Sequence, residues 1–440
     1  MIKTLTSAFK NKDIRKKLLY TLMMLVVIRI GSLLPIPGVD TEYFSTLLSG
    51  FNSGDLSYLS AFTGGSFEKM SLFALSITPY ITSSIIMQLL TIAIPKLEEM
   101  QKEGEDGRKK IASITRYVTI ALALIESIAM AVGFGRQGLI KDYKDMSTIH
   151  YVTCIIVVVA ALTAGSAVLM WIGERITEKG VGNGISIVLL INIISGMPSD
   201  FVTLYSTFVA NKSIARGVTV AVIIAAIVIA VVVLVVILQD GERRIPVQYS
   251  QKVAGRKTIG GQATNIPLKV NTAGVMPIIF ASSIMQFPVI IVQLFTSNSY
   301  EWTKYLSQSY WCRVQMPKYS IGLLLYILLV VVFAYFYTSI TFNPVQIADN
   351  LKKAGGVVPG ITPGRSTSEY LNKILNYIVF IGAVGLMIVA LIPIMCTGFF
   401  NASVSFGGTS IIIIVGVVLE TMKQIESMMV NRNYRGFLSE

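Results

Sequence analysis

The chain reads as an all-α integral membrane protein with ten transmembrane helices, divided into two five-helix halves of opposite orientation. Three observations carry this. Hydrophobic residues make up 53% of the 440 positions and charged residues only 14%, with a mean hydropathy of +0.67, beyond what a soluble core of this size needs. Ten apolar segments, each near the ~20 residues that cross a bilayer, can be counted. Lysine and arginine are also unevenly shared between alternate loops.

In order, the segments are residues 18–37, 72–94, 111–133, 149–172, 185–201, 218–238, 274–295, 320–342, 374–394 and 403–422. The first follows a basic lead, ends in Pro35-Ile36-Pro37 and carries no small-residue cleavage site, so it reads as a retained helix rather than a signal peptide. Before the second lies a short apolar run, 56–62, too brief to span and broken by Gly64-Gly65. A half-segment at membrane depth leaves backbone groups unpaired in lipid, so it belongs inside protein or beside a water-filled cavity. That points to a channel or transporter interior. Within the second segment, Pro79 is expected to bend the helix, with Ile77 and Ile81 flanking it on one face. Ile185 and Leu189 repeat the spacing after Gly182-Asn183-Gly184. Such i,i+4 pairs in helices this apolar are usually ordinary packing or lipid-facing residues.

The net charge of +13 is largely topological. The N-terminal side of the membrane carries 26 lysines and arginines in its loops and ends, the opposite side 9. The positive-inside bias then puts both termini in the cytoplasm, as an even number of crossings requires. The most basic loop is 239–271, where alternation over 244–249 predicts an extended stretch and Gly260-Gly261 a turn. Its charge either only sets topology or also docks a partner, for which an acidic protein surface, anionic lipid or ribosomal RNA would each suit.

Five spans per half force opposite orientations, so an inverted repeat is geometrically available, although no residue-level repeat is visible. The halves divide as 1–200 and 201–440, with cytoplasmic loops 239–271 and 343–373 in the second. Arg29 and Glu126 are the charges deep in the spans. Intramembrane ionisable groups are functional candidates, but Arg29 is read first as a structural or snorkelling side chain. Cys154, Cys312 and Cys396 lie far apart and His150 is the sole histidine, which argues against a disulfide framework, a metal site or a cofactor. No nucleophile, base and acid constellation suggests an enzyme. An inverted-repeat secondary transporter of a small solute is the alternative function, but a polar midplane site for its substrate is missing from the spans.

Several stretches together resemble the SecY family, the channel subunits of bacterial Sec protein translocases. They are IRIGSLLPIPGVD (28–40), FALSITPYITSSIIMQLL (73–90), KEGEDGRKKIASITRY (102–117), WIGERITEKGVGNGISI (171–187), GERRIPVQYSQK (241–252), IPLKVNTAGVMPIIFASSI (266–284), FNPVQIADNLKKAGGVVPGITPG (342–364) and FGGTS (406–410). The resemblance runs from end to end in order. It implies a passive protein-conducting channel in the bacterial plasma membrane, with an hourglass pore between the halves and a short plug helix, about 55–67. It further implies a pore ring of Ile77, Ile81, Ile185, Leu189, Ile279 and Ile413, in which Leu189 stands where isoleucine is frequent. Leu56, Leu59, Phe62 and Phe67 would belong to the plug, with Gly64 and Gly65 as its hinge. Thr82, Glu126 and Gln286 would form a polar cluster at a lateral gate between the second and seventh helices, through which signal sequences and membrane-protein helices reach membrane lipid.

Arg243, Arg244, Lys252, Arg256 and Lys257 in the first basic loop, and Lys352, Lys353 and Arg365 in the second, would receive the translating ribosome, including its ribosomal RNA, or the motor ATPase SecA. Thr362 stands where many bacterial members carry an arginine, and Arg365 is the candidate replacement. SecE and SecG subunits are implied as partners. No ATP-binding loop is present, so the energy for moving a signal-bearing polypeptide would come from outside the chain.

Overall fold

The computed structural model describes residues 9–50, 63–140, 147–206, 214–249, 252–254, 257–259, 263–295, 300–313, 316–400 and 408–436. Each of the ten predicted segments coincides with a helix. They are α1 (Lys12–Leu33), α3 (Thr78–Ala93), α5 (Glu105–Phe134), α6 (Thr148–Lys179), α7 (Gly184–Leu204), α8 (Ile214–Asp240), α9 (Met276–Phe295), α10 (Ile321–Thr341), α12 (Arg365–Phe400) and α13 (Gly408–Gly436). Shorter helices among the described residues include α2 (Thr41–Gly50), α4 (Pro95–Lys102) and α11 (Pro344–Lys353). Among the described residues, α5, α6, α8, α10 and α12 cross a bilayer on length and composition alone, and α3 with α4 forms a sixth candidate bent by 101°. The bend falls where Pro95, which cannot continue the α3 ladder, opens α4. Val222, Ile229, Val233 and Ile237 on α8 are among many large apolar side chains left exposed, as a lipid-facing surface requires.

Packing repeats between the halves. In the first, α1 packs on α6 and α7, α3 on α5, α5 on α6, and α6 on α7. In the second, α8 packs on α12 and α13, α9 on α10, α10 on α12, and α12 on α13. Counted from α1 and from α8, these are the same five pairings, and five spans per unit make the two copies run in opposite directions through the membrane. Between the halves, α7 packs on α13 and α5 on α9.

One expectation is corrected. The second span begins as helix at Thr78 rather than near residue 72, and Pro79 opens it instead of bending it. Proline fits the first helical turn because the N–H it lacks would have had no partner there. The preceding residues, 64–77, form turns that are mostly buried, with Glu68 and Lys69 exposed. Their backbone is satisfied by the end of α1: Leu72 N–H donates to the Leu34 carbonyl (2.9 Å), Ile36 N–H donates to Met70 (3.1 Å), and Pro35 and Ser71 form an antiparallel bridge.

The two basic loops form a three-stranded sheet, and the first of them a separate two-stranded one. Strand β1 (Glu242–Tyr249) pairs antiparallel with β4 (Ala263–Lys269), while β2 (Lys252–Ala254) pairs with β3 (Lys257–Ile259). Strand β5 (Gly356–Val357), from the other basic loop, adds to β1 through Gln248↔Val357 and Tyr249↔Gly356. As the alternation predicts, Ile245 and Val247 are buried while Arg244, Pro246 and Gln248 are exposed.

Candidate functional site: an aliphatic constriction and its surroundings

The six candidate ring residues come from four helices and meet in one apolar cluster. Ile77 at the N-cap of α3, Leu189 on α7, Ile279 on α9 and Ile413 on α13 lie in its buried core, with exposures of 1% to 6%. Ile81 and Ile185 are half-buried against the same cluster. The cluster is large and takes in residues of most spans, so what it establishes is convergence of these side chains on common apolar ground. Asn183 fixes the start of α7, its Oδ1 accepting from Ile185 N–H (3.1 Å).

Next to Ile77 the interior becomes polar. Asn192 Nδ2 donates to Ser76 Oγ (3.0 Å), and Arg29 Nη1 donates to Ser195 Oγ (2.8 Å). Arg29 is thus held by a hydroxyl on α7, and among the described residues it makes no ion pair with an acid. Phe67 is buried against the rings of Phe44 and Phe134, both edge-on, so this end of the plug stretch is packed into a second apolar cluster. Gly64 and Gly65 both have positive φ. A side chain at Gly64 would collide with α7, whereas Gly65 faces open space. Leu56, Leu59 and Phe62 lie outside the described residues.

Of the gate candidates, Thr82 Oγ1 donates to the Thr78 carbonyl of its own helix (3.1 Å). Glu126 on α5 and Gln286 on α9 are half-buried on two helices that pack together. Among the described residues no hydrogen bond joins the three.

A match to the SecY family model over residues 71–422 takes in most of the chain, including every ring, gate and loop residue named here. The chain belongs to the SecY family. It is 42% identical over 453 residues to protein translocase subunit SecY of Streptomyces galbus, with 100% of both chains covered. To that of Bacillus subtilis (strain 168) it is 40% identical over 445 residues, again with 100% of both covered. Among solved structures, it resembles one titled "The structure of a protein conducting channel", with a TM-score of 0.60 and 17% identity over 94% of this chain and 93% of that one. It also resembles Sec61 in a canine ribosome-channel complex, with a TM-score of 0.58 and 17% identity over 94% of this chain and 93% of that one. These structural likenesses support the SecY fold.

The docking candidates of this SecY-family chain divide by pairing. Arg244 is bound to Glu242 (2.7 Å) and Arg365 to Glu369 (3.0 Å), both exposed. Arg243, Lys352 and Lys353 are exposed and make no ion pair among the described residues. Arg256 lies outside the described residues, and of Lys252 and Lys257 only the backbone in β2 and β3 is described. Sequence reasoning missed the union of the two basic loops and the buried hydrogen bonds of Asn192 and Ser195. Two polar residues three apart in the apolar run VLLINIIS (188–195) were the available signal for the latter.

Proposed function

We infer that this chain is a protein-conducting channel. It passes unfolded secretory polypeptides across the membrane and releases signal sequences and membrane-protein helices sideways into lipid. Membership of the SecY family supports this, and the observation that carries it at the site is the convergence of Ile77, Ile81, Ile185, Leu189, Ile279 and Ile413 from four helices. Aliphatic side chains form no fixed hydrogen bonds with a passing chain, so any sequence can slide through. A narrow dewetted constriction impedes ions at rest.

The remaining assignments follow the same reading. Residues 1–200 and 201–440 form the two halves, a division supported by the repeated helix pairings. The plug is the stretch 55–67, of which Phe67 is packed into the second apolar cluster. Thr82, Glu126 and Gln286 bias the lateral gate. SecE and SecG brace the shell, and the sheet with α11 receives the motor ATPase SecA or the ribosome, whose ribosomal RNA and acidic protein surfaces suit Arg243, Lys352 and Lys353. The chain resides in the bacterial plasma membrane with both termini cytoplasmic, as 26 basic residues against 9 support. The channel itself catalyses no reaction.

Proteoliposomes carrying the chain, its small subunits, the motor and ATP are expected to protect a signal-bearing precursor from external protease. Uptake of a small solute without precursor protection would contradict the reading.

A further inference from the structure

Residues 64–77, which lead from the plug stretch to the constriction, are tied at both ends to one turn of α7. At the first end, the Ser195 hydroxyl lies 3.3 Å from the Gly64 carbonyl and 2.7 Å from the Asn192 carbonyl, sharing its single proton between them. The same oxygen accepts from Arg29 on α1. Gly64 adopts φ +62°, and a Cβ there would come within 2.5 Å of Ser195 Oγ and 2.7 Å of the Asn192 carbonyl. Its backbone therefore sits directly on α7.

At the other end, Asn192 Nδ2 donates to Ser76 Oγ at 3.0 Å, and Ser166 Oγ of α6 donates to the Ser76 carbonyl at 3.4 Å. Ser76 holds φ +53°, a left-handed conformation that a non-glycine residue keeps only when its surroundings enforce it. Ser76 and Asn192 are both almost fully buried, and Ser76 directly precedes Ile77. Asn192 and Ser195 stand three residues apart and so share a face of α7.

We propose that Asn192 and Ser195, braced by Arg29, are positioning residues: a polar clamp that sets Ile77 in the constriction and holds the plug stem at Gly64 in the closed state. The proposal rests on the reading of Ile77 as a constriction residue. In an apolar interior these few hydrogen bonds, one of them donated by the charged Arg29, favour one arrangement strongly enough to keep the resting channel shut. They are also few enough for a signal sequence, through its own contacts, to overcome them.

The test uses the full chain assembled with its small subunits in planar bilayers. Asn192→Leu and Ser195→Ala should each raise resting ion conductance without substrate by roughly fivefold, the population shift that follows from losing about one net hydrogen bond. Both should also admit precursors with defective signal sequences. Ser195→Thr, which keeps the hydroxyl, should return both readings to the parental level, which a purely structural loss would not do. Copurification of the small subunits checks assembly, and Ser195→Ala, which removes a single oxygen, keeps the test open if Asn192→Leu fails to assemble. Parental conductance and export in Ser195→Ala overturn the clamp. Ile77→Asn, measured alongside, separates the two ideas: raised conductance there leaves the constriction standing, and unchanged conductance removes both.

Discussion

Of the proposed ring, Ile413 is the more fully buried of the two residues that stand alone on their helices, and its replacement reads most simply. Ile413→Asn places a polar group in the apolar constriction and is expected to increase export of precursors with defective signal sequences. Export at the parental level would remove Ile413 from the ring. Asn343 makes a different kind of contribution, its Oδ1 accepting from the N–H groups of Val345 and Gln346 to cap α11. Asn343→Ala should destabilise that helix by about 1 kcal/mol, seen as faster hydrogen exchange over residues 344–353, and Asn343→Asp should not. Residue roles were the least legible part of the sequence. The spacing of Ile77 and Ile81 is what any apolar helix shows, and Pro79 could be placed at a helix start only once the turns before it were seen to pack on α1. The bond from Arg29 to Ser195 spans 166 positions and has no local signature.

At the scale of elements, the spans were legible because length and hydropathy are local properties fixed by bilayer thickness. The extended run at 244–249 was legible for the same reason, since its alternation matches the period of a strand. What could not be read was the addition of β5 to β1, which depends on pairing between loops about a hundred residues apart. Because the loops share one sheet and the core of Ile245, Val247, Leu268, Leu351 and Val358, they should fail together. Ile245→Ala, at a typical cost of 2–5 kcal/mol for such a buried truncation, is expected to weaken motor and ribosome binding alike while leaving resting conductance unchanged. Loss of only one partner would show that the loops dock independently. Lys352→Glu with Lys353→Glu should weaken docking without unfolding the sheet, and more at low salt than at high salt.

For the whole molecule, two copies of one five-helix packing pattern meet where α7 lies on α13 and α5 on α9. Opposed copies explain how a chain without a visible residue repeat can enclose a path and still part along a seam. At that seam Gln286→Leu should change how hydrophobic a signal sequence must be for export, and an unchanged threshold would leave Gln286 as a fixed structural side chain. The central claim is that a polypeptide passes through the aliphatic constriction, and site-specific crosslinking from Ile81 and Ile279 to a stalled secretory precursor tests it most directly. Crosslinks from both positions to the translocating segment are the predicted result. A precursor that is exported yet crosslinks to neither would contradict the account.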